Sequence, residues 1–144
     1  MTPKVLFLCT GNSCRSQMAE GWAKHLLRGK CEAYSAGTEP HPLNQCAVKA
    51  MKESGVDISN HSSKSVESLK SIPFDLVVTV CDSAAKSCPT PMQGARIVHA
   101  PFDDPPRLAE NAKTDEEAMP HYRRVRDEIK EFVRLLPAIW SEEK

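Results

Sequence analysis

The sequence predicts a three-layer α/β sandwich, with a central four-stranded parallel sheet flanked by helices. Three observations lead there. Short apolar runs rich in strand formers alternate with helical patterns along the whole chain. The two strongest runs, Val5-Leu6-Phe7-Leu8-Cys9 and Asp75-Leu76-Val77-Val78-Thr79-Val80, are almost wholly apolar, as in strands covered on both faces. No internal repeat or low-complexity tract breaks the alternation, and 144 residues make a single domain, 1–144.

Each element has its own signal. Residues 5–9 form the first strand, and Thr10-Gly11-Asn12-Ser13 a turn. A helix follows, in which Met18, Trp22 and Leu26 recur every four residues and Gly29 supplies the stop. Ala33-Tyr34-Ser35-Ala36-Gly37 is the second strand. Leu43, Cys46, Ala47, Ala50 and Met51 repeat with helical spacing, ended by Gly55. Val66 and Leu69 mark a weaker helix. The 75–80 run, largely β-branched, is expected at the sheet centre, with a short strand at Arg96-Ile97-Val98. Near the C-terminus Tyr122, Val125, Ile129, Phe132, Val133 and Leu136 form one apolar stripe. Thr114 and Glu117 have capping-box spacing. Pro120 lacks an N–H and clashes with the preceding turn, so the main helix is expected to begin there.

Composition narrows the function. The chain has 19 basic and 19 acidic residues, so a nucleic-acid or anionic-membrane surface is not expected. No apolar run approaches the ~20 residues of a membrane span, and the N-terminal run is too short for a secretory signal. A cytoplasmic setting is therefore expected. Six cysteines in such a chain point to catalysis, redox chemistry or metal binding rather than to static disulfides.

Cys9-Thr10-Gly11-Asn12-Ser13-Cys14-Arg15-Ser16 lies between a strand and a helix. Such a turn can aim several backbone N–H groups inward, and the helix N-terminus adds its dipole. Gly11 permits the tight turn, and Arg15 offers a planar fork to a tetrahedral oxyanion. Cys9 would sit on the floor of this nest. The same field favours a thiolate, and Ser16 could donate to its sulfur. The expectation is a nucleophilic sulfur facing a bound oxyanion, with Thr10, Gly11, Asn12, Ser13, Cys14, Arg15 and Ser16 around it.

A second feature follows the 75–80 strand. Cys81 stands at the strand end, where α/β sites are built, and Cys88 lies seven residues on. If the two strong strands are parallel neighbours, Cys9 and Cys81 emerge at one edge. Phosphate-ester hydrolysis needs one cysteine; a second able to attack the first suggests electron transfer. Were residues 81–88 helical, seven rises of ~1.5 Å would part their Cα atoms by roughly 10.5 Å. A disulfide needs about 7 Å, so a Cys81–Cys88 bond requires that segment to unwind. In Phe102-Asp103-Asp104-Pro105-Pro106 a rigid turn presents Asp104, a carboxyl group able to protonate a leaving oxygen.

These motifs, with Gln17-Met18-Ala19-Glu20-Gly21-Trp22, Tyr34-Ser35-Ala36-Gly37 and Asp57-Ile58-Ser59-Asn60-His61, resemble the thioredoxin-coupled arsenate reductases. That family has the low-molecular-weight protein tyrosine phosphatase fold. The similarity runs from about Val5 to the last helix, with the motifs in the expected order. It implies arsenate as substrate, with phosphate or sulfate able to occupy the same loop. It implies attack by Cys9, steadied by Arg15 and assisted by Asp104. A Cys9–Cys81 disulfide then passes to Cys81–Cys88, and thioredoxin reduces it. The resemblance implies a monomer with no cofactor. Some relatives hold a monovalent cation near the positions of Asn12, Glu20 and Ser35, beside an acidic residue after His61. Here Lys64 stands on that loop and argues against potassium, leaving Asn12 to order the loop by hydrogen bonds; no metal is expected. The stretch 107–119 looks longer than in compact members and has no assigned role.

Three alternatives compete, the subtlest being a reductase regenerated by glutaredoxin or a small thiol, against which the Cys81/Cys88 pair favours thioredoxin. A low-molecular-weight protein tyrosine phosphatase would share the loop, Arg15 and Asp104. Those phosphatases typically place tyrosine after the Asp-Pro, where this chain has Pro106. A thiol-based arsenite sensor would need three converging cysteines and has no use for Arg15. Of the remaining cysteines, Cys46 reads as core, Cys31 has no assigned partner, and Cys14 fills space beneath the loop. His25, His41, His61, His99 and His121 lack metal-ligand spacing and read as surface or hydrogen-bonded residues. Trp22 and Trp140 read as packing groups.

Overall fold

The two apolar runs become the centre of one sheet. A computed structural model describes residues 2–81 and 95–141, the last two by backbone only. Strand β1 (Lys4–Cys9) buries Val5, Leu6, Phe7 and Leu8 completely, and β3 (Leu76–Thr79) is buried along its length. β1 pairs with β2 (Glu32–Gly37) on one side and β3 on the other, and β3 pairs with β4 (Arg96–His99). All pairings are parallel, in the order β2-β1-β3-β4. The expected four-stranded parallel sheet flanked by helices is therefore present among the described residues.

Helix α1 (Arg15–Leu26) and α2 (Gln45–Glu53) both pack against a long C-terminal helix, α4 (Asp115–Arg134). A short α3 (Pro105–Leu108) precedes α4, and α5 (Leu136–Ser141) follows it. Trp22 joins α1 to α4: its ring is buried and its Nε1 donates to the Arg126 carbonyl at 3.1 Å. It is the packing group the sequence indicated. The weak helix is a 3₁₀ turn, Val66–Leu69.

One expectation is corrected. α4 begins at Asp115, and Pro120 lies inside it. The capping box decides the start: Thr114 Oγ1 accepts from the Glu117 N–H at 3.2 Å, and the first turn carries three acidic residues. Near a helix start Pro120 removes one bond from a turn already held by its cap. Part of the unassigned 107–119 stretch thus serves as the first turn of α4.

Strand pairing continues past the sheet's C-terminal edge. Val80 N–H donates to Leu8 O at 3.0 Å, Ala100 N–H to Thr79 O at 2.8 Å, and Phe102 N–H to Val80 O at 3.1 Å. Three neighbouring strand ends therefore deliver Cys9, Cys81 and the 102–104 turn to one place.

Candidate active site

The 9–16 loop is turned inside out by its hydrogen bonds. Its carbonyl groups are engaged from outside. Thr38 N–H donates to Cys9 O at 3.3 Å, and Glu39 N–H, His41 N–H and Asn44 N–H donate to Thr10, Gly11 and Ser13 at 2.8 Å each. Asn12 O accepts from Gln17 Nε2 at 3.0 Å and from Ser63 Oγ at 2.7 Å. A peptide points its C=O and N–H in opposite directions, so these bonds leave the loop's N–H groups to its interior. Gly37 makes the close approach possible: a Cβ there would stand 2.5 Å from Thr10 O and 2.9 Å from Asn12 N. Asn12 takes the left-handed backbone, φ 49°, which asparagine tolerates better than most residues.

One flank of the loop is a buried polar network. Asn12, Ser16 and Gln17 are fully buried. Asn12 Nδ2 donates to Ser16 Oγ at 2.9 Å, and its Oδ1 accepts from the Lys64 N–H at 2.9 Å. Gln17 Nε2 also reaches Ser62 O at 3.1 Å, while its Oε1 lies 3.0 Å from His61 Nδ1. Burial pushes His61 below its ordinary titration range. Asn12 orders the loop by hydrogen bonds, as expected. The anticipated donation from Ser16 to Cys9 is not formed. Glu20 already accepts from Ser35, pairs with Lys24, and lies 3.9 Å from Lys64 Nζ. These residues do not fit a further monovalent cation, because ammonium groups already neutralise the one carboxylate. No cluster of metal-ligating side chains occurs among the described residues.

The other flank borders a cleft of about 230 Å³ lined by Cys9, Arg15 and Asp104. Helix α1 starts at Arg15 without a side-chain cap and without an acidic residue in its first turn, leaving its positive end to the cleft. Arg15 is held by Phe102 O, which accepts from Nη1 at 2.9 Å, and lies 3.6 Å from Asp104 Oδ1 through Nη2. Its side chain is 14% exposed, whereas that of Asp104 is 41% exposed. Pro106 and His41 also line the cleft. His41 was read from sequence only as a surface or hydrogen-bonded residue, because its place depends on the 38–44 strap lying along the loop.

Cys9 and Cys81 are both buried and hydrogen-bonded through their side chains, and Thr10 Oγ1 lies 3.4 Å from Cys81 Sγ. The Cys9 thiol is held above its ordinary range. Its bond with Cys81 contributes most and burial adds to it, while Arg15 and the Thr10 N–H pull the other way. The two lowering influences are those the sequence pointed to; the sulfur neighbour and the burial outweigh them. Burial also raises Cys14, a residue of the cleft lining. Cys46 is only partly buried, its sulfur 3.9 Å from Asp115 Oδ1. Cys88 lies outside the described residues.

A strand-to-helix anion nest with cysteine at its floor and arginine at its end defines the class. The family model for low molecular weight phosphotyrosine protein phosphatases matches residues 4–143, and the chain belongs to that family. Within it, the chain is 53% identical over 125 residues to an arsenate reductase of Bacillus subtilis, covering 87% of this chain and 88% of the relative. It is 52% identical over 130 residues to an arsenate reductase of Halalkalibacterium halodurans, covering 90% and 91%. A solved arsenate reductase in a phosphate-binding state superposes with a TM-score of 0.79 at 33% identity, covering 95% of this chain and 98% of the other. The chain therefore groups with the arsenate reductases of the phosphatase family.

Proposed function

We propose that this protein reduces arsenate to arsenite through a thiol–disulfide relay of Cys9, Cys81 and Cys88 that thioredoxin regenerates. One observation carries the reading: a second buried sulfur, Cys81, is hydrogen-bonded to the cysteine at the floor of an oxyanion nest. A phosphatase has no use for it. The half-identical relatives named arsenate reductase and the phosphate-binding state of a solved neighbour support the same substrate shape.

Arsenate enters the 9–16 loop, where the inward N–H groups and Arg15 hold its oxygens. Cys9 sulfur attacks arsenic, an S–As bond forms, and an As–O bond breaks. The oxygen leaves as water, taking protons from the Cys9 thiol and from Asp104. A thiol that keeps its proton until the anion arrives brings it to the oxygen that needs it. Cys81 sulfur then attacks Cys9 sulfur. The S–S bond forms, the S–As bond breaks, and its electron pair stays on arsenic, which leaves as arsenite. Cys88 attacks Cys81, freeing Cys9, and the thioredoxin dithiol reduces the Cys81–Cys88 disulfide. The protein works as a monomer in the cytoplasm, where thiols are kept reduced.

The test is arsenate-dependent NADPH oxidation with thioredoxin and thioredoxin reductase, on wild type and Cys88→Ser. Wild type turns over repeatedly; Cys88→Ser completes one event and stalls as a Cys9–Cys81 disulfide, visible by mass spectrometry. Aryl-phosphate hydrolysis that needs Cys9 alone, without arsenate-dependent oxidation, makes the protein a phosphatase instead.

A further inference from the structure

We propose that His41 is a further oxyanion-binding group, its imidazole donating a hydrogen bond to the outermost oxygen of the tetrahedral anion in the 9–16 loop. The inference rests on reading that loop as an oxyanion site. It adds a side chain that belongs neither to the loop motif nor to the sulfur relay.

Place is the first argument. His41 lines the same cleft as Cys9 and Arg15. Its ring lies against the loop: a Cβ on Gly11 would stand 2.9 Å from His41 Cδ2. Rigidity is the second. His41 sits between Pro40 and Pro42, and Pro42 confines it to an extended backbone. On the same strap the N–H groups of Glu39, His41 and Asn44 each bond a loop carbonyl at 2.8 Å. The imidazole is therefore carried on backbone as firmly placed as the loop. Asn44 anchors the strap's far end, since its Oδ1 caps α2 and its Nδ2 donates to Tyr122 Oη at 3.1 Å.

The third argument is what the ring does not do. His61 and His99 each bond through Nδ1, to Gln17 at 3.0 Å and Thr79 at 2.8 Å. The His41 ring, exposed at the cleft, makes no hydrogen bond or ion pair with any described residue. A fixed polar ring without a partner among the described residues, beside an anion nest, is preorganised for a group that enters the cleft. Either neutral tautomer offers one N–H, and an anionic acceptor strengthens that bond. It also counters Asp104, the one carboxylate among the described residues that line the cleft.

Alkylation of Cys9 by iodoacetamide in the presence of rising inorganic phosphate tests this without arsenate turnover. The phosphate concentration giving half-protection should rise about tenfold in His41→Ala, the size of one charge-assisted hydrogen bond. His41→Gln keeps an N–H donor and should recover most of the protection. The phosphate-free alkylation rate reads the loop itself and should match wild type in both variants. In turnover, the arsenate KM should rise more than kcat falls. The proposal is overturned by an unchanged half-protection point in His41→Ala, or by a loss in His41→Gln as large as in His41→Ala. A phosphate-free rate that shifts with the substitution also overturns it, by assigning His41 a structural role. Phosphate protection of wild type without arsenate reduction leaves the His41 assignment standing while the reductase reading falls.

Discussion

The two flanks of the 9–16 loop are built on opposite terms. On one side Asn12, Ser16 and Gln17 are fully buried and bonded to one another and to residues 61–64. On the other side Asp104 is half-exposed, and the exposed His41 ring bonds no described residue. The buried flank gives the loop one shape; the open flank keeps its groups available for chemistry. The same loop is fastened from behind and opens onto a cleft in front. Substitutions on the two flanks should therefore fail in different measurements.

The largest effect is expected behind the loop. Asn12→Ala removes the bonds to Ser16 and from the Lys64 N–H, and places a Cβ residue at φ 49° without asparagine's local compensation. Leaving buried polar groups unpaired and adding backbone strain should lower unfolding stability by about 3 kcal/mol, read by urea denaturation. Asn12→Gly relieves the backbone part, about 1 kcal/mol, and leaves the hydrogen-bond loss. If Asn12→Ala unfolds like wild type, the buried flank is not what shapes the loop.

A smaller effect of the opposite kind is expected in front. Asp104→Asn removes the carboxyl group proposed as proton donor but keeps a side chain of the same size. Arsenate turnover should fall about 10²-fold. Stability should stay within about 0.5 kcal/mol, because the ion pair with Arg15 is half in water. A variant that loses stability and keeps its rate would erase the contrast between the flanks.

The front was the more legible half of the site. Cys9, Arg15 and the loop glycine lie within one strand-turn-helix segment, so local sequence suffices to read them. The meeting of Cys9 with Cys81 follows from two apolar runs being parallel neighbours, as β1 and β3 are. The buried flank was legible only in part. Gln17 meets His61 and Ser62 across more than forty residues, and no periodicity encodes that pairing. His41 reads from sequence only as a surface or hydrogen-bonded residue for the same reason: its place depends on a strap lying along the loop. Gly37 left a clue, a glycine ending a strand where a backbone passes at 2.5 Å from its missing Cβ. Pro120 was read too literally, because a capping box at Thr114 starts the helix before the proline can stop it.

The subtlest effect concerns the sulfur pair, where the flanks meet. Cys9 is held above the ordinary thiol range chiefly by its bond with Cys81, and burial adds to this against Arg15 and the Thr10 N–H. The sign follows. Cys81→Ala takes away the largest raising influence and leaves both lowering ones, so Cys9 should ionise at lower pH. Carboxamidomethylation of the Cys9 peptide, followed by mass spectrometry across pH, reads this as a midpoint. That midpoint should move down in Cys81→Ala. Easier access for the reagent would scale the whole profile without moving its midpoint, which separates the two causes. A midpoint that moves up would mean that Cys81 donates to a Cys9 thiolate, so that the second sulfur activates the first before it attacks it.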